Sequence, residues 1–443
     1  MSSPSLAPAS WLQALRYIGP GLIVTASIVG SGELIVTPKV AGENGYRLLW
    51  LIVIGCMIKV FVQIELGRYA VAKGVTTLQA LNQMPGPRAR VSWILWIWLI
   101  VFLAIISQVG GIIGGTAEVF KAGGLGVDHR WVAVLIGGSC ATLLAAGRYR
   151  LVETLSTALV VIFTLATVVA VASLQWTDFR VTAGNLLSGF RFELPANFAT
   201  AFAALGIIGV GASELIYYPY WCLEKGYARR VGPRDGDAGW AARARGWLRV
   251  MRVDAWVSMV IYTSATAAFY ILGAAVLHAK SLKVSDQEMI PTLAHMYLES
   301  FGQFGLWVFL TGAFATLYST AFAATASNAR LLADALELFG LTRYASPSGR
   351  ERMVRVCCVA LPAYATALYL VAARPVTLVM ISGIGQALLL PFLAGAALYL
   401  RYRKLDDELR PGKLWTAFLW LSAFSLAAAG GYQLLDEIRR RFF

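Results

Sequence analysis

Apolar runs of about 20 residues recur from one end of this sequence to the other, and each is long enough to cross a bilayer as a helix. A bilayer core offers backbone amides and carbonyls no water. A chain patterned this way is therefore confined to a bundle of helices that satisfy their own backbone. Composition agrees: 58% of the 443 residues are hydrophobic and 14% are charged, against about 25% charged in soluble domains. We read an all-α polytopic membrane protein with eleven spans, near 17–41, 47–72, 92–117, 130–147, 152–174, 197–222, 253–277, 303–328, 353–373, 376–402 and 413–433.

The net charge of +14 would suggest nucleic acid in a soluble protein. Here the positive-inside rule accounts for it, and the expected partners are the lipid bilayer and a transported solute, with no nucleic acid. With the N-terminus in the cytoplasm, about 25 Lys and Arg fall in cytoplasmic connections and about 11 in external ones. An odd span count then puts the C-terminus outside. The expected location is a cell inner (plasma) membrane, multi-pass, and nothing in the sequence demands more than a monomer. Met1 to Trp11 lacks a basic region followed by a cleavable apolar core, so no signal peptide is expected. The most basic connection follows span six, and its segment Trp240 to Met251 reads as an amphipathic helix on the anionic inner leaflet. Ala279 to Gly302 reads as an external loop. The five Cys have neither metal-site nor disulfide spacing, the three His fall in polar connections, and no cofactor is expected.

Two stretches are versions of one another. Gly30-Ser31-Gly32-Glu33-Leu34-Ile35 is closed by Pro38, and Gly211-Ala212-Ser213-Glu214-Leu215-Ile216 by Pro219. Each interrupts an apolar span with small residues and a downstream Pro, which loosen a helix. They lie in spans one and six, so an odd number of spans separates them and the second copy crosses the membrane in the opposite sense. That is a 5+5 inverted repeat with discontinuous helices one and six, and span eleven appended. The expected units are 1–175 (spans one to five), 176–402 (spans six to ten) and 403–443 (span eleven and the tail).

A Glu at membrane depth marks function by default. The repeat relation is expected to bring Glu33 and Glu214 near one central point. Carbonyls freed at the two breaks, with two carboxylates, make an oxygen-rich site suited to hard cations such as Mg²⁺, Ca²⁺ or Mn²⁺. No Met or other sulfur lies in either break. Gln386 and Ser382 in span ten, Asn328 in span eight, and Tyr217 and Tyr218 are further polar candidates. Lys59 in span two is a candidate charge partner of Glu33, Glu65 or Glu214. The pairs Gly110-Gly111, Gly114-Gly115 and Gly137-Gly138 read as close helix packing.

Several stretches resemble the Nramp divalent-metal transporters: Gly19-Pro20-Gly21 followed by the span-one break, Gly45 through Trp50, Gln63 through Gly74, Gly211-Ala212, Arg252-Val253-Asp254 and Pro391-Phe392. The resemblance implies the leucine-transporter-type fold and alternating access around a midplane site. It also exposes departures. The family's Asp-Pro-Gly-Asn is Gly30-Ser31-Gly32-Glu33 here, so Gly30 stands for the metal-binding Asp and Glu33 for the Asn. In span six Ala212 is as the family has it, Leu215 replaces the metal-binding Met, and Tyr217 the His. The proton-carrying acidic pair of span three becomes Gln108 and Gly111. Transition-metal selectivity and proton coupling of the family's kind are therefore not expected. Gly30-Ser31-Gly32 also looks like the break of the amino acid–polyamine–organocation transporters, where freed amides hold a substrate carboxylate.

The function expected is a secondary transporter, not an enzyme. It moves a hard divalent cation bound between the unwound parts of spans one and six. The substrate positions are Gly30, Glu33, Ala212, Glu214, Leu215, Tyr217 and Gln386, with Glu33 and Glu214 as metal ligands and Lys59 and Gln108 as coupling or charge partners. The alternative is a transporter of amino acids or small organic amines built on the same fold.

Overall fold

The computed structural model describes residues 4–8, 10–124, 126–147, 149–193, 198–234, 239–286 and 288–442. Eleven spans run through these described residues. Span one is two helices, Pro20–Ile28 (1a) and Thr37–Asn44 (1b), separated by a break and a π-helical turn, Gly32–Val36. Spans two to five are Leu49–Lys73, Trp93–Ala122, His129–Ala145 and Tyr149–Ser173. Span six is again two helices, Phe198–Ile207 (6a) and Ala212–Glu224 (6b). Spans seven to eleven are Trp240–Leu272, Gln303–Leu338, Pro347–Ala372, Pro375–Arg403 and Lys413–Phe442. Among the described residues, seven stretches are by themselves long and apolar enough to cross a membrane. One of them, Pro20–Lys73, holds spans one and two. Spans four and five are shorter apolar helices, and span six is divided, so length alone undercounts the crossings.

The breaks fall at the duplicated motifs, for reasons visible in each. Val29 leaves the helical region, with ψ 70° after Ile28. A side chain at Gly30 would begin 2.0 Å from Thr320 Oγ1 of span eight, so only glycine lets the spans approach. In span six Gly209 sits at φ +65°, a conformation other L residues avoid. The prolines act differently from one another: Pro38 lies in the first turn of 1b, where its missing N–H costs nothing, whereas Pro219 is inside 6b.

Span three is the spine against which spans nine and ten lie. Added Cβ atoms at Gly110 and Gly111 would stand 2.6 Å from the carbonyl oxygens of Ala365 and Pro375, and one at Gly114 would strike the Tyr369 ring. Gly137 meets Thr366 in the same way, whereas Gly138 faces open space. Span ten also packs on 6a and span eleven, and span two on span seven and 6b. Outside the spans a two-residue ladder, Arg88–Ala89 with Val91–Ser92, turns the chain into span three.

Two connections differ from the sequence reading. Trp240 to Met251 is continuous with span seven, forming one helix of 33 residues. Its apolar side covers protein rather than lipid. Trp247 donates to Ser5 O, and the Arg230 guanidinium lies over the rings of both Tyr17 and Trp247, which meet edge to face, strapping the N-terminal segment beneath it. Between spans seven and eight, Met289–Phe301 is a helix with a buried apolar face rather than plain loop. Just before it, Asp286 caps span ten by accepting from Thr377 N and Oγ1 at 2.9 and 2.6 Å.

Candidate substrate site between the two broken helices

A run of hydrogen bonds, closed into a ring by the span-one backbone between Ser27 and Ser31, links the two breaks. Tyr217 of 6b donates to Glu214 Oε1 at 2.8 Å, and with that proton committed Ser27 of 1a donates to Tyr217 Oη at 2.6 Å. The Ser213 hydroxyl reaches Glu214 Oε2 at 2.8 Å and Gln386 Oε1 at 2.9 Å. Having one proton, it gives it to the carboxylate, while Ser213 N donates to Gln386 Oε1 at 3.2 Å. Gln386 Nε2 donates to Gln108 Oε1 of span three at 2.9 Å, and Gln108 Nε2 donates to Ser31 Oγ in the span-one break at 2.9 Å. Ser382, one turn before Gln386, also donates to Gln108 Oε1. The ring thus runs from one side of the span-one break to the other through spans six, ten and three. Ser27, Ser31, Ser213, Glu214, Tyr217, Ser382 and Gln386 are all buried.

Glu33 lies outside this ring. Its Oε1 accepts from Gly209 N at 3.2 Å and from Thr266 Oγ1 of span seven at 3.0 Å, while its Oε2 is buried and unbonded. The first carboxylate therefore braces the second break from span one. Lys59, fully buried, is also turned to that break: it donates to Leu205 O at 2.7 Å and Ile208 O at 2.6 Å. Gly30 is closed over by Thr320. Leu215 is buried in the apolar core, and Ala212 opens 6b behind its N-cap Gly211. A side chain at Gly211 would stand 2.4 Å from Gln386 Oε1 and 2.6 Å from Glu214 Oε2. Of the other sequence candidates, Tyr218 gives its one hydroxyl proton to Asp254 Oδ2, with Met251 O also 3.1 Å from its oxygen. Glu65 is buried among Arg68, Arg401 and Trp415.

Ser27, Ser31, Ser213 and Thr266 were not singled out from the sequence. Ser31 and Ser213 sit inside the duplicated motifs, where any hydroxyl borders freed backbone. Ser27 and Thr266 carry no such signal, because a hydroxyl in an apolar helix most often bonds its own backbone.

Chemically, the ring is an oxygen and amide site with one carboxylate. No cluster of three or more His, Cys, Asp and Glu able to hold a metal ion forms among the described residues. A cation here would be held by Glu214 together with neutral oxygens. The positive end of 6b is already met by Glu214 in its first turn and by Gln386 Oε1 on Ser213 N. That leaves less positive field for a substrate carboxylate than a bare half-helix would offer.

A second constellation sits at the opposite end of 1a. Asp254 of span seven accepts from Gly19 N at 2.8 Å, Gly21 N at 2.7 Å and the Tyr218 hydroxyl at 3.0 Å. One carboxylate thereby fixes the first amides of 1a to 6b and span seven. Beside it, a cavity of 890 Å³ is lined by Gly19, Pro20, Leu22 and Ile23 of 1a, by span five, and by Trp221, Glu224 and Lys225.

Known proteins share this architecture. The manganese transporter of Eremococcus coleocola, solved as a mutant, superposes with a TM-score of 0.71 at 16% identity, over 99% of this chain and 91% of that one. Mhp1, a nucleobase-cation-symport-1 family transporter, superposes at 0.56 and 13% identity, over 98% and 96%. At such identities the likeness is one of fold. In sequence, the divalent metal cation transporter MntH of Nostoc sp. is 22% identical over 444 aligned residues, covering 97% of this chain and 92% of that protein. MntH 1 of Pseudomonas aeruginosa is 24% identical, covering 97% and 93%. The model of the family described as natural resistance-associated macrophage protein-like matches residues 15–436. With breaks in spans one and six and that match across nearly its whole length, the chain belongs to the Nramp family of membrane transporters, not enzymes.

Proposed function

We propose that this protein moves a hard divalent cation, of the Mg²⁺, Mn²⁺ or Ca²⁺ type, across the cell inner membrane by alternating access. The ion binds between the unwound parts of spans one and six. Glu214 is the principal ligand, aided by Ser213, Tyr217, Gln386 and Gln108. Glu33, with one oxygen unbonded, supplies the second negative charge. The N-terminus lies in the cytoplasm and the C-terminus outside. Residues 1–175 and 176–402 are the two repeats, with 403–443 appended.

The observation that carries this reading is the buried oxygen ring, with a carboxylate and without sulfur or imidazole, spanning both breaks. The printed functions of the relatives support metal as the substrate class. Hard oxygen donors favour hard cations over thiophilic ones. Because 6b has its positive end occupied from within, an amino acid carboxylate is the weaker candidate.

Uptake into proteoliposomes tests the proposal. The wild type should take up at least one of Mg²⁺, Mn²⁺ and Ca²⁺, and Glu214→Gln should lose most of that flux. Absence of flux for all three would remove the reading.

A further inference from the structure

The break in span six leaves a helix end in the middle of the membrane. Half-helix 6a stops at Ile207, so its last carbonyls have no amide four residues on, and the end carries partial negative charge. Backbone left bare at that depth is costly. In broken-helix transporters, carbonyls of this kind coordinate small monovalent cations. Here Leu205 O, near the end of 6a, and Ile208 O, just past it, converge on the ammonium of Lys59 at 2.7 and 2.6 Å. The bonds run to carbonyls, not to a carboxylate.

Span two is shaped to deliver this cation. Gly55 and Lys59 are four residues apart and so share one helix face. At Gly55 the approach to 6a is so close that an added Cβ would lie 2.4 Å from Leu205 Cδ1. One at Gly209, in the break itself, would lie 2.7 Å from Cys56 Sγ. Span two therefore packs against the end of 6a at Gly55 and Cys56, and the lysine reaches over it. Burying a lone ammonium is costly unless hydrogen-bond acceptors compensate it. An arrangement this close is a built cation site whose occupant is covalently attached.

We propose that Lys59 is a tethered cation filling the carbonyl site at the end of 6a, so that no mobile monovalent ion binds there during the transport cycle. The cation at the end of 6a then stays in place throughout the cycle, where a mobile ion would come and go. The inference adds to the transport reading above, but its test requires no transported substrate.

The test is thermal unfolding of the purified protein in detergent at constant ionic strength, with NaCl, KCl, propylammonium chloride or choline chloride. Propylammonium matches the atoms that Lys59→Ala removes. The wild type should melt at the same temperature in all four salts. Lys59→Ala should melt on the order of 5 °C lower, and propylammonium or Na⁺ should restore at least half of that loss in a saturable way, with choline restoring none. Lys59→Met fills the space without charge and should melt low in every salt. A Lys59→Met protein as stable as the wild type overturns the proposal. So does a Lys59→Ala protein that responds to small cations no more than to choline, and so does a wild type stabilised saturably by Na⁺. The last result is read on the native chain even if neither variant folds. Absent divalent uptake would remove the transport reading and leave these melting results to decide the role of Lys59.

Discussion

Glu33 and Glu214 hold equivalent places in the duplicated motif, yet they serve different partners. Glu33 accepts from Gly209 N and Thr266, across to spans six and seven, while Glu214 accepts from Ser213 and Tyr217 on its own half-helix. One carboxylate holds the break together from outside; the other belongs to the ring that joins spans one, three, six and ten. The inverted repeat supplies the two acids, and their different neighbours divide the labour between them.

That division predicts unequal losses. Glu214→Gln removes the ring's carboxylate and should weaken divalent-cation binding at least ~10-fold, about 1.4 kcal/mol. Glu33→Gln keeps an oxygen able to accept from Gly209 and Thr266, so its effect on affinity should be smaller. Titrating Mn²⁺ and Mg²⁺ against thermal stability in each variant checks this. Equal loss in the two variants would show that both carboxylates coordinate the ion alike.

Restoring the family's acid at the first break should not restore a family site. A side chain at position 30 begins 2.0 Å from Thr320 Oγ1 and 2.6 Å from Thr320 Cβ. Gly30→Asp should therefore destabilise the protein by about 1–3 kcal/mol, seen as a lower melting temperature. Adding Thr320→Gly should recover part of that loss. Thr320→Ala should recover less, because it keeps the clashing Cβ.

Asp254 secures the N-terminal end of 1a through three donors, and its loss should free that end. Asp254→Ala removes charge-assisted bonds worth about 1.5–3 kcal/mol each. A cysteine introduced at Leu22, which lines the 890 Å³ cavity, should then react with a maleimide at least ~5-fold faster. All five native cysteines are buried, so background labelling should be low. An unchanged rate would show that Asp254 does not hold 1a in place.

Much of this fold was legible because membrane-spanning helices write themselves as long apolar runs and breaks as small residues. The positions of both breaks, and hence the inversion, followed from two six-residue motifs. Where the reading diverged, tertiary packing decided. Trp240 to Met251 carries Arg and Trp as a lipid-facing helix would, but its apolar face is taken by the N-terminal segment. Lys59 was visible as a buried charge. That its partners are carbonyls could not be read, since a freed carbonyl has no letter in the sequence. Gln386 was recognisable by type and span, whereas Ser27 and Thr266 join through distances that only the folded bundle creates.

The central claim is that the oxygen ring around Glu214 carries a hard divalent cation. The most direct measurement is initial uptake of Mg²⁺, Mn²⁺ and Ca²⁺ into proteoliposomes by the wild type and Glu214→Gln, side by side. The account predicts saturable uptake of at least one of the three by the wild type and a loss of at least ~10-fold in the variant. Uptake that survives Glu214→Gln unchanged, or no uptake of any of the three, would contradict it.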